Sequence, residues 1–336
     1  MFKLSDQPTE KQGSNRFLPW AVFTLMLALM IFYLTREKEL FSALLRVSLF
    51  SLAGLFLIQC LFNAATGLML RELSRFFGVR LTVLEWYGLP AVTTMGNYLT
   101  PVSGGLVARA VYLKQRYGLS YPRFLALLSS GYLVNFLVIS AFGVFIALVR
   151  HGRDTRILPL GLFFLAALVV ILFLLHRPIP LPDGEGRVQR FLRDVTSGWP
   201  LLKSRGSLIG KLIGLSLVNI LLGGGSLWLA FDALGMPIPG VDAILLSLCQ
   251  AFSLLVSITP GNLGLQEWIV SLSSGLLGYG LGAGLLAALL VRAVTVLFIL
   301  SQGPLFSYLL SKELAAARNL GRGEDGGGTI EKRLFP

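Results

Sequence analysis

Two short stretches of the sequence place a Thr-Pro step, glycines and a charged residue inside otherwise apolar segments. The first is NYLTPVSGGLVARAVYLK, residues 97–114, and the second is SITPGNLGLQEWIV, residues 257–270. Proline removes a backbone donor and glycine relaxes the chain, so each stretch predicts a helix that breaks and turns. The two predicted tips contain Pro101, Gly104 and Gly105, and Pro260, Gly261 and Gly264.

Three ionisable residues lie at or near these tips. Arg109 follows the first tip, Glu267 follows the second, and Arg292 lies well inside a long apolar run. Charges inside a membrane cost several kcal/mol, so each is a functional candidate. Pairing Glu267 with Arg292 would lower the desolvation cost of both, although such a pair can also serve packing alone. Arg109 can meet a lipid phosphate, and its alternative role is that of an ordinary interfacial arginine.

Amide side chains flank the same tips. They can offer hydrogen bonds to a lipid head group, but buried amides also fasten helices to each other. The candidates are Asn97, Asn262 and Gln266.

The composition shows which elements must position these residues. The chain has 336 residues, of which 54% are hydrophobic and only 14% charged, as in a polytopic all-α membrane protein. A helix needs roughly 20 residues to cross a hydrocarbon core about 30 Å thick. Six runs predict full spans, namely 17–34, 47–70, 124–149, 158–175, 212–231 and 281–310.

Two further apolar runs, 89–112 and 242–279, are predicted to be re-entrant hairpins. If 89–112 crossed fully, the basic loop 113–123 would face opposite to Arg71, Arg75 and Arg80, against the positive-inside rule. Each arm of about 12 residues spans roughly 18 Å, which reaches mid-membrane only. The flanks of 242–279 contain no Lys or Arg, so this hairpin should enter from outside. The alternative is a kinked full span in both places.

The basic residues predict the orientation. On this scheme 22 of the 29 Lys and Arg face the cytoplasm and six face outside, while Arg292 is buried. Both termini are therefore expected on the cytoplasmic side of the inner membrane. The order of segments predicts an inverted repeat, as in many secondary transporters. The predicted parts are a tail (1–16), repeats over 17–149 and 158–311 within a membrane domain (17–311), a cytoplasmic linker (176–206) and a disordered tail (312–336).

Charge and motifs exclude several protein classes. The net charge of +12 lies mostly in loops beside membrane segments, which indicates anionic lipid head groups rather than nucleic acid as partners. Cys60 and Cys249 each lie in an apolar run and predict buried small side chains, not a metal site. No P-loop, nucleophile elbow or zinc spacing occurs, so no metal, cofactor or catalytic residue is predicted.

The same stretches resemble the two motif regions of the lysylphosphatidylglycerol synthase transmembrane family, also called flippase-like integral membrane proteins. The resemblance covers most of the chain and is more specific in the second half. It assigns motif positions to Pro101, Gly105, Arg109, Pro260, Gly261, Gly264, Glu267 and Arg292. Leu106, Gly131, Tyr132 and Asn135 stand where many members have acidic or paired charged residues, which argues against a charge relay in the first half. The aminoacyl-transferase domain of the family is absent from this sequence.

The resemblance implies movement of a phospholipid or lipid-linked molecule between membrane leaflets. The sequence therefore predicts a lipid flippase-like transporter that acts on lipids with anionic head groups. Two alternatives are a membrane-embedded enzyme acting on lipid-linked substrates and a non-catalytic partner of a lipid-modifying enzyme. Turnover by the purified protein would favour the first alternative, and obligate co-purification with an enzyme would favour the second.

Overall fold

The computed structural model describes residues 46–100, 104–151, 155–176, 206–255 and 259–327. These residues form nine α-helices, joined in places by short 3₁₀ turns. The helices are α1 (Leu49–Phe76), α2 (Val83–Leu99), α3 (Gly104–Tyr117), α4 (Tyr121–His151), α5 (Leu158–His176), α6 (Gly206–Ala233), α7 (Gly240–Ala251), α8 (Leu265–Leu276) and α9 (Leu281–Gly327).

Several sequence predictions fall outside the described residues. They concern Pro101, the tail 1–16, the span 17–34 and nearly all of the linker 176–206. The final tail was expected to be disordered from residue 312, but α9 continues past this position to Gly327. The stretch SKELAAARNL contains many strong helix formers, which favours this continuation.

Four of the described helices are long and apolar enough to cross a membrane. They are α1, α4, α6 and the first 36 residues of α9, and they correspond to the predicted spans 47–70, 124–149, 212–231 and 281–310. The predicted span 158–175 lies within α5, a shorter apolar helix of 19 residues. The chain is therefore an all-helical, multi-pass membrane protein within its described part.

The first hairpin consists of α2 and α3. Thr82 caps the start of α2, where its hydroxyl accepts the Glu85 N–H and the Glu85 carboxylate accepts the Thr82 N–H. Arg109 contacts Thr93 near the tip, and Tyr112 contacts Glu85 near the open end. The helix α3 therefore returns antiparallel to α2, with the break between them in the predicted region.

The second hairpin consists of α7, α8 and the 3₁₀ turns between them. The Asn262 amide donates to the Ser253 carbonyl at 3.0 Å near the tip, and the Tyr279 hydroxyl donates to Asp242 at 2.5 Å near the open end. The two arms are thus antiparallel, as in the first hairpin. With 12 residues each, α7 and α8 are also too short to cross a membrane.

The long helices bring both hairpins to the centre of the fold. Helices α1 and α6 pack against each other, and α9 lies between α2 of the first hairpin and α8 of the second. Helix α4 packs against α5, α6 and α7. Buried side chains from nearly all of these helices form one continuous apolar core. This core fixes the positions of the hairpin tips relative to α9.

Candidate functional site

Arg292 is the centre of a buried polar cluster beside the tip of the second hairpin. Its side chain is 10% exposed and forms an ion pair with Glu267, with 2.5 Å between Arg292 Nε and Glu267 Oε1. Its five N–H groups donate to five acceptors, namely the Glu267 carboxylate, the Gln266 amide oxygen, the Tyr98 hydroxyl and the backbone carbonyls of Gly261 and Asn262. We call these six residues the arginine node. A guanidinium has only five N–H donors, so every donor of Arg292 is used.

The start of α8 holds Glu267 in the node. Its second carboxylate oxygen accepts the backbone N–H of Gly264 at 2.8 Å, which satisfies a donor at the helix N-terminus. Glu267 is only 2% exposed, so its charge depends on Arg292 and on this backbone donor. The predicted Glu267–Arg292 pair is therefore present and almost completely buried.

Tyr98 connects the arginine node to the first hairpin. It lies in the last turn of α2, accepts a hydrogen bond from Arg292 and has its ring centroid 5.3 Å from the guanidinium carbon. Its ring also covers Gly261, where a Cβ atom would lie 2.7 Å from the ring. Gly261 has a φ of 58°, which glycine adopts readily. The tip of one hairpin thus rests on the end of the other.

The tip of the first hairpin is held by short polar contacts and by close backbone packing. The Asn97 side-chain oxygen accepts the Gly105 N–H at 3.0 Å, and the Thr100 hydroxyl accepts the Gly104 N–H at 3.0 Å. A Cβ atom at Gly105 would lie 1.8 Å from the Thr93 carbonyl oxygen, so only glycine fits there. Asn97 therefore fastens the helix break and does not belong to the arginine node.

Arg109 has a different environment from Arg292. It is half-buried on α3, and its Nε donates to the Thr93 hydroxyl at 2.9 Å. In the described part of the chain, no carboxylate lies within ion-pair distance of its guanidinium. A positive charge in an apolar setting without an acidic partner is costly and is typical of a position that meets an anion.

Arg109 lines a cleft of about 270 Å³ between the first hairpin and α9. The cleft walls are mainly apolar, with Leu89 and Val92 from α2, Val111 from α3, and Leu310 and Leu314 from α9. Polar groups come from Arg109, Thr93, Gln115, Ser307 and Ser311. The buried Ser307 hydroxyl has no hydrogen-bond partner among the described residues. We call this space the Arg109 cleft.

A buried carboxylate lies at the open end of each hairpin. Glu85 accepts hydrogen bonds from Tyr112 at 2.8 Å and Tyr117 at 2.5 Å, both on α3. Asp242 is bound by Tyr279 and by Arg150 at the end of α4, the latter at 3.0 Å. Both carboxylates are the third residue of their helix and are almost completely buried. The arms of each hairpin are thus joined at both ends.

The predicted site residues therefore divide into two places. The arginine node contains Glu267, Arg292, Asn262, Gln266 and Gly261, with Gly264 bound to Glu267 and Pro260 buried in the same tip. Arg109, Asn97, Gly104 and Gly105 lie in the first hairpin. Sequence reasoning missed Tyr98, Glu85 and Asp242, although an aromatic hydroxyl two residues before the Thr-Pro step was a usable signal for Tyr98. No cluster of three metal-ligating side chains occurs within the described ranges.

Comparison with known proteins places this arrangement in a family. Residues 17–303 match the family described as the lysylphosphatidylglycerol synthase TM region. The chain belongs to this family. The match includes both hairpins, the arginine node and the α2 and α3 walls of the Arg109 cleft, whereas the α9 wall, from Ser307 onward, follows the matched range. A search among curated proteins gave no match. The resemblance of the motif residues to this transmembrane family is thereby confirmed.

Proposed function

We propose that this family member is a lipid translocase, which moves a phospholipid or lipid-linked molecule with an anionic head group between leaflets. The observation that carries the proposal is the Arg109 guanidinium, which lacks an acidic partner in the described chain and lines a mainly apolar cleft. A lipid phosphate supplies the missing negative charge, and the apolar walls accept the adjoining glycerol and acyl groups. The family description, which refers to a lipid synthase, supports a lipid substrate.

The two hairpins have opposite orientations in the proposed topology. We propose that the first hairpin enters from the cytoplasm and the second from outside, with both termini in the cytoplasm. The basic residues Arg80, Lys114 and Arg123 beside the first hairpin support this orientation under the positive-inside rule. Broken helices that meet near the middle of the membrane are the usual location of a transporter site. Contact between Tyr98 and Gly261 is consistent with such a meeting point.

The arginine node has a supporting role in this proposal. All five donors of Arg292 are bound within the protein, so a phosphate could bind there only by displacing one of them. Among the described residues, Arg109 makes one hydrogen bond, to Thr93, which uses one of its five N–H groups. We therefore assign head-group binding to Arg109 and assign the relative positions of the two hairpins to Arg292 and Glu267.

Leaflet exchange in reconstituted vesicles tests the proposal. A fluorescent phosphatidylglycerol in the inner leaflet is followed as it becomes accessible to a membrane-impermeant quencher. Arg109→Gln should reduce the exchange rate to near that of empty vesicles, because it removes the charge that binds the phosphate. The matched control is Lys114→Gln, which removes one positive charge from an exposed position of the same helix and should leave most of the rate.

Three results would contradict the proposal. The first is wild-type protein that exchanges no anionic, zwitterionic or polyprenyl-linked lipid, with or without an ion gradient. The second is an equal lipid-exchange rate in the Arg109 and Lys114 variants, which would show that Arg109 does not bind the head group. Chemical conversion of a lipid by the purified protein would favour a membrane-embedded enzyme instead.

A further inference from the structure

A second arginine lies at the mouth of the Arg109 cleft. Arg116 follows Arg109 by seven residues, so the two lie on the same face of α3, about 10 Å apart along its axis. The Arg116 side chain is 24% exposed. Its Nη2 lies 3.6 Å from Glu313 Oε2 on α9. Gln115, next to Arg116 on α3, and Leu314, next to Glu313 on α9, both line the cleft. The ion pair therefore joins the α3 wall of the cleft to the α9 wall.

The contacts of Arg116 are loose compared with those of Arg292. Its Nε lies 3.6 Å from Glu85 Oε1, which is an ion-pair distance but too long for a hydrogen bond. This buried Nε has no hydrogen-bond partner within the described chain. Glu85 does not depend on Arg116, because it already accepts hydrogen bonds from Tyr112, Tyr117 and the Thr82 N–H. The Arg116 guanidinium can therefore exchange its partner.

We propose that Arg116 is the entry site for the phosphate of an anionic phospholipid, and that Glu313 is a built-in competitor for it. An arriving phosphate displaces Glu313, whose side chain is 44% exposed and can turn into water. The opening of this pair separates α3 from α9 at the mouth of the cleft. The phosphate then moves two helical turns along α3 to Arg109. This inference rests on the proposed translocase function for its second step, whereas the binding at Arg116 can be measured alone.

Binding and exchange are measured on the full-length protein with phosphatidylglycerol as the probe. The purified protein is titrated with this lipid in detergent, and the bound lipid is counted by native mass spectrometry, with phosphatidylcholine as the uncharged comparison. Glu313→Gln should lower the half-saturation concentration by about twofold to fivefold, the factor that corresponds to a partly exposed ion pair. Arg116→Gln should raise it by at least this factor. The control Glu72→Gln removes an acid that is paired with Lys211 away from the cleft, and should change nothing.

The double variant separates competition from a general effect of charge. If Glu313 acts through Arg116, the variant with both Arg116→Gln and Glu313→Gln should bind like Arg116→Gln alone. A gain from Glu313→Gln that persists without Arg116 would overturn the inference, as would unchanged binding in Glu313→Gln. Glu313→Gln is also expected to fold, because a partly exposed ion pair contributes little to stability.

The lipid-exchange assay distinguishes this inference from the proposed function. Lipid exchange that depends on Arg109 but not on Arg116 or Glu313 would overturn the entry site and leave the translocase standing. Phosphatidylglycerol binding that follows the predicted pattern without any exchange would support the entry site and refute translocation.

Discussion

The two hairpins have the same overall construction but use their arginines differently. The second hairpin and α9 enclose Arg292, and all five N–H donors of this residue are bound. The first hairpin presents Arg109 to a cleft with one hydroxyl partner and no carboxylate in the described chain. A charge whose bonds are all made within the protein maintains a structure, whereas a charge left without a counter-ion is available to a ligand. We therefore propose that the second tip positions the hairpins and that the first hairpin binds the ligand.

The largest expected effect comes from breaking the arginine node. Arg292→Leu leaves Glu267 buried without its partner, and removal of one member of a buried pair costs about 3–5 kcal/mol of unfolding free energy. Arg109→Leu strands no carboxylate and should cost no more than about 1.5 kcal/mol, the usual worth of one hydrogen bond. Denaturant unfolding in mild detergent, followed by circular dichroism, measures both. Similar losses for the two variants would show that the two arginines do not differ as proposed.

The double variant Glu267→Gln with Arg292→Gln sharpens this test. It removes both charges together, so stability should recover by a large part of the loss seen in Arg292→Leu. If lipid exchange recovers as well, the pair serves packing and positioning alone. If stability recovers but lipid exchange does not, the pair contributes to the substrate path as well as to packing.

The sequence indicated the components of this site better than their roles. Glu267 and Arg292 were conspicuous because each is a lone charge in an apolar segment, and their opposite signs predicted the pair. Periodicity could not show that Arg292 has no free donor, because two of its acceptors are backbone carbonyls created by the tip itself. Tyr98 was missed because its contact with Arg292 joins residues 194 positions apart.

The helices were predictable to different degrees. Long apolar runs give a strong signal, and α1, α4, α6 and α9 each correspond to a predicted span. Helix ends were less accurate, because polar helix formers extend α1 to Phe76 and α9 to Gly327. Glu85 and Asp242 resembled ordinary charges beside membrane segments. Glu85 is bound by Tyr117 of α3, and Asp242 is bound by Tyr279, which follows α8; local sequence does not reveal these contacts.

An intermediate effect is expected at the contact between the two hairpins. Tyr98→Phe keeps the ring over Gly261 but removes the hydroxyl that accepts from Arg292. A hydrogen bond to a charged group contributes about 1.5–3 kcal/mol, so the unfolding free energy should fall by this amount. Tyr308→Phe makes the same change at a tyrosine that is 66% exposed and should have no measurable effect. An unchanged stability in Tyr98→Phe would mean that the hydroxyl does not link the hairpins.

The smallest expected effect concerns the packing of the first tip, where Gly105 lies against the backbone of α2. A methyl group at this position would lie 1.8 Å from the Thr93 carbonyl oxygen, so Gly105→Ala must push the two arms apart. Overpacking of this kind costs about 1–3 kcal/mol. Gly214→Ala is the matched control, because Gly214 lies in α6 with no heavy atom near the position that an added methyl group would take. That control should gain up to about 1 kcal/mol from the higher helix propensity of alanine.

In the same unfolding experiment, the unfolding free energy should fall in Gly105→Ala and rise in Gly214→Ala. These opposite changes would show that the first tip depends on direct backbone contact between its arms. The same displacement changes the position of α3, which also presents Arg109 to the cleft. Gly105→Ala should therefore lower phosphatidylglycerol exchange as well as stability, whereas the contacts of Arg292 with Glu267 and Gln266 on α8 should remain intact. A stabilised Gly105→Ala variant with unchanged exchange would mean that the close approach at this tip is not required for function.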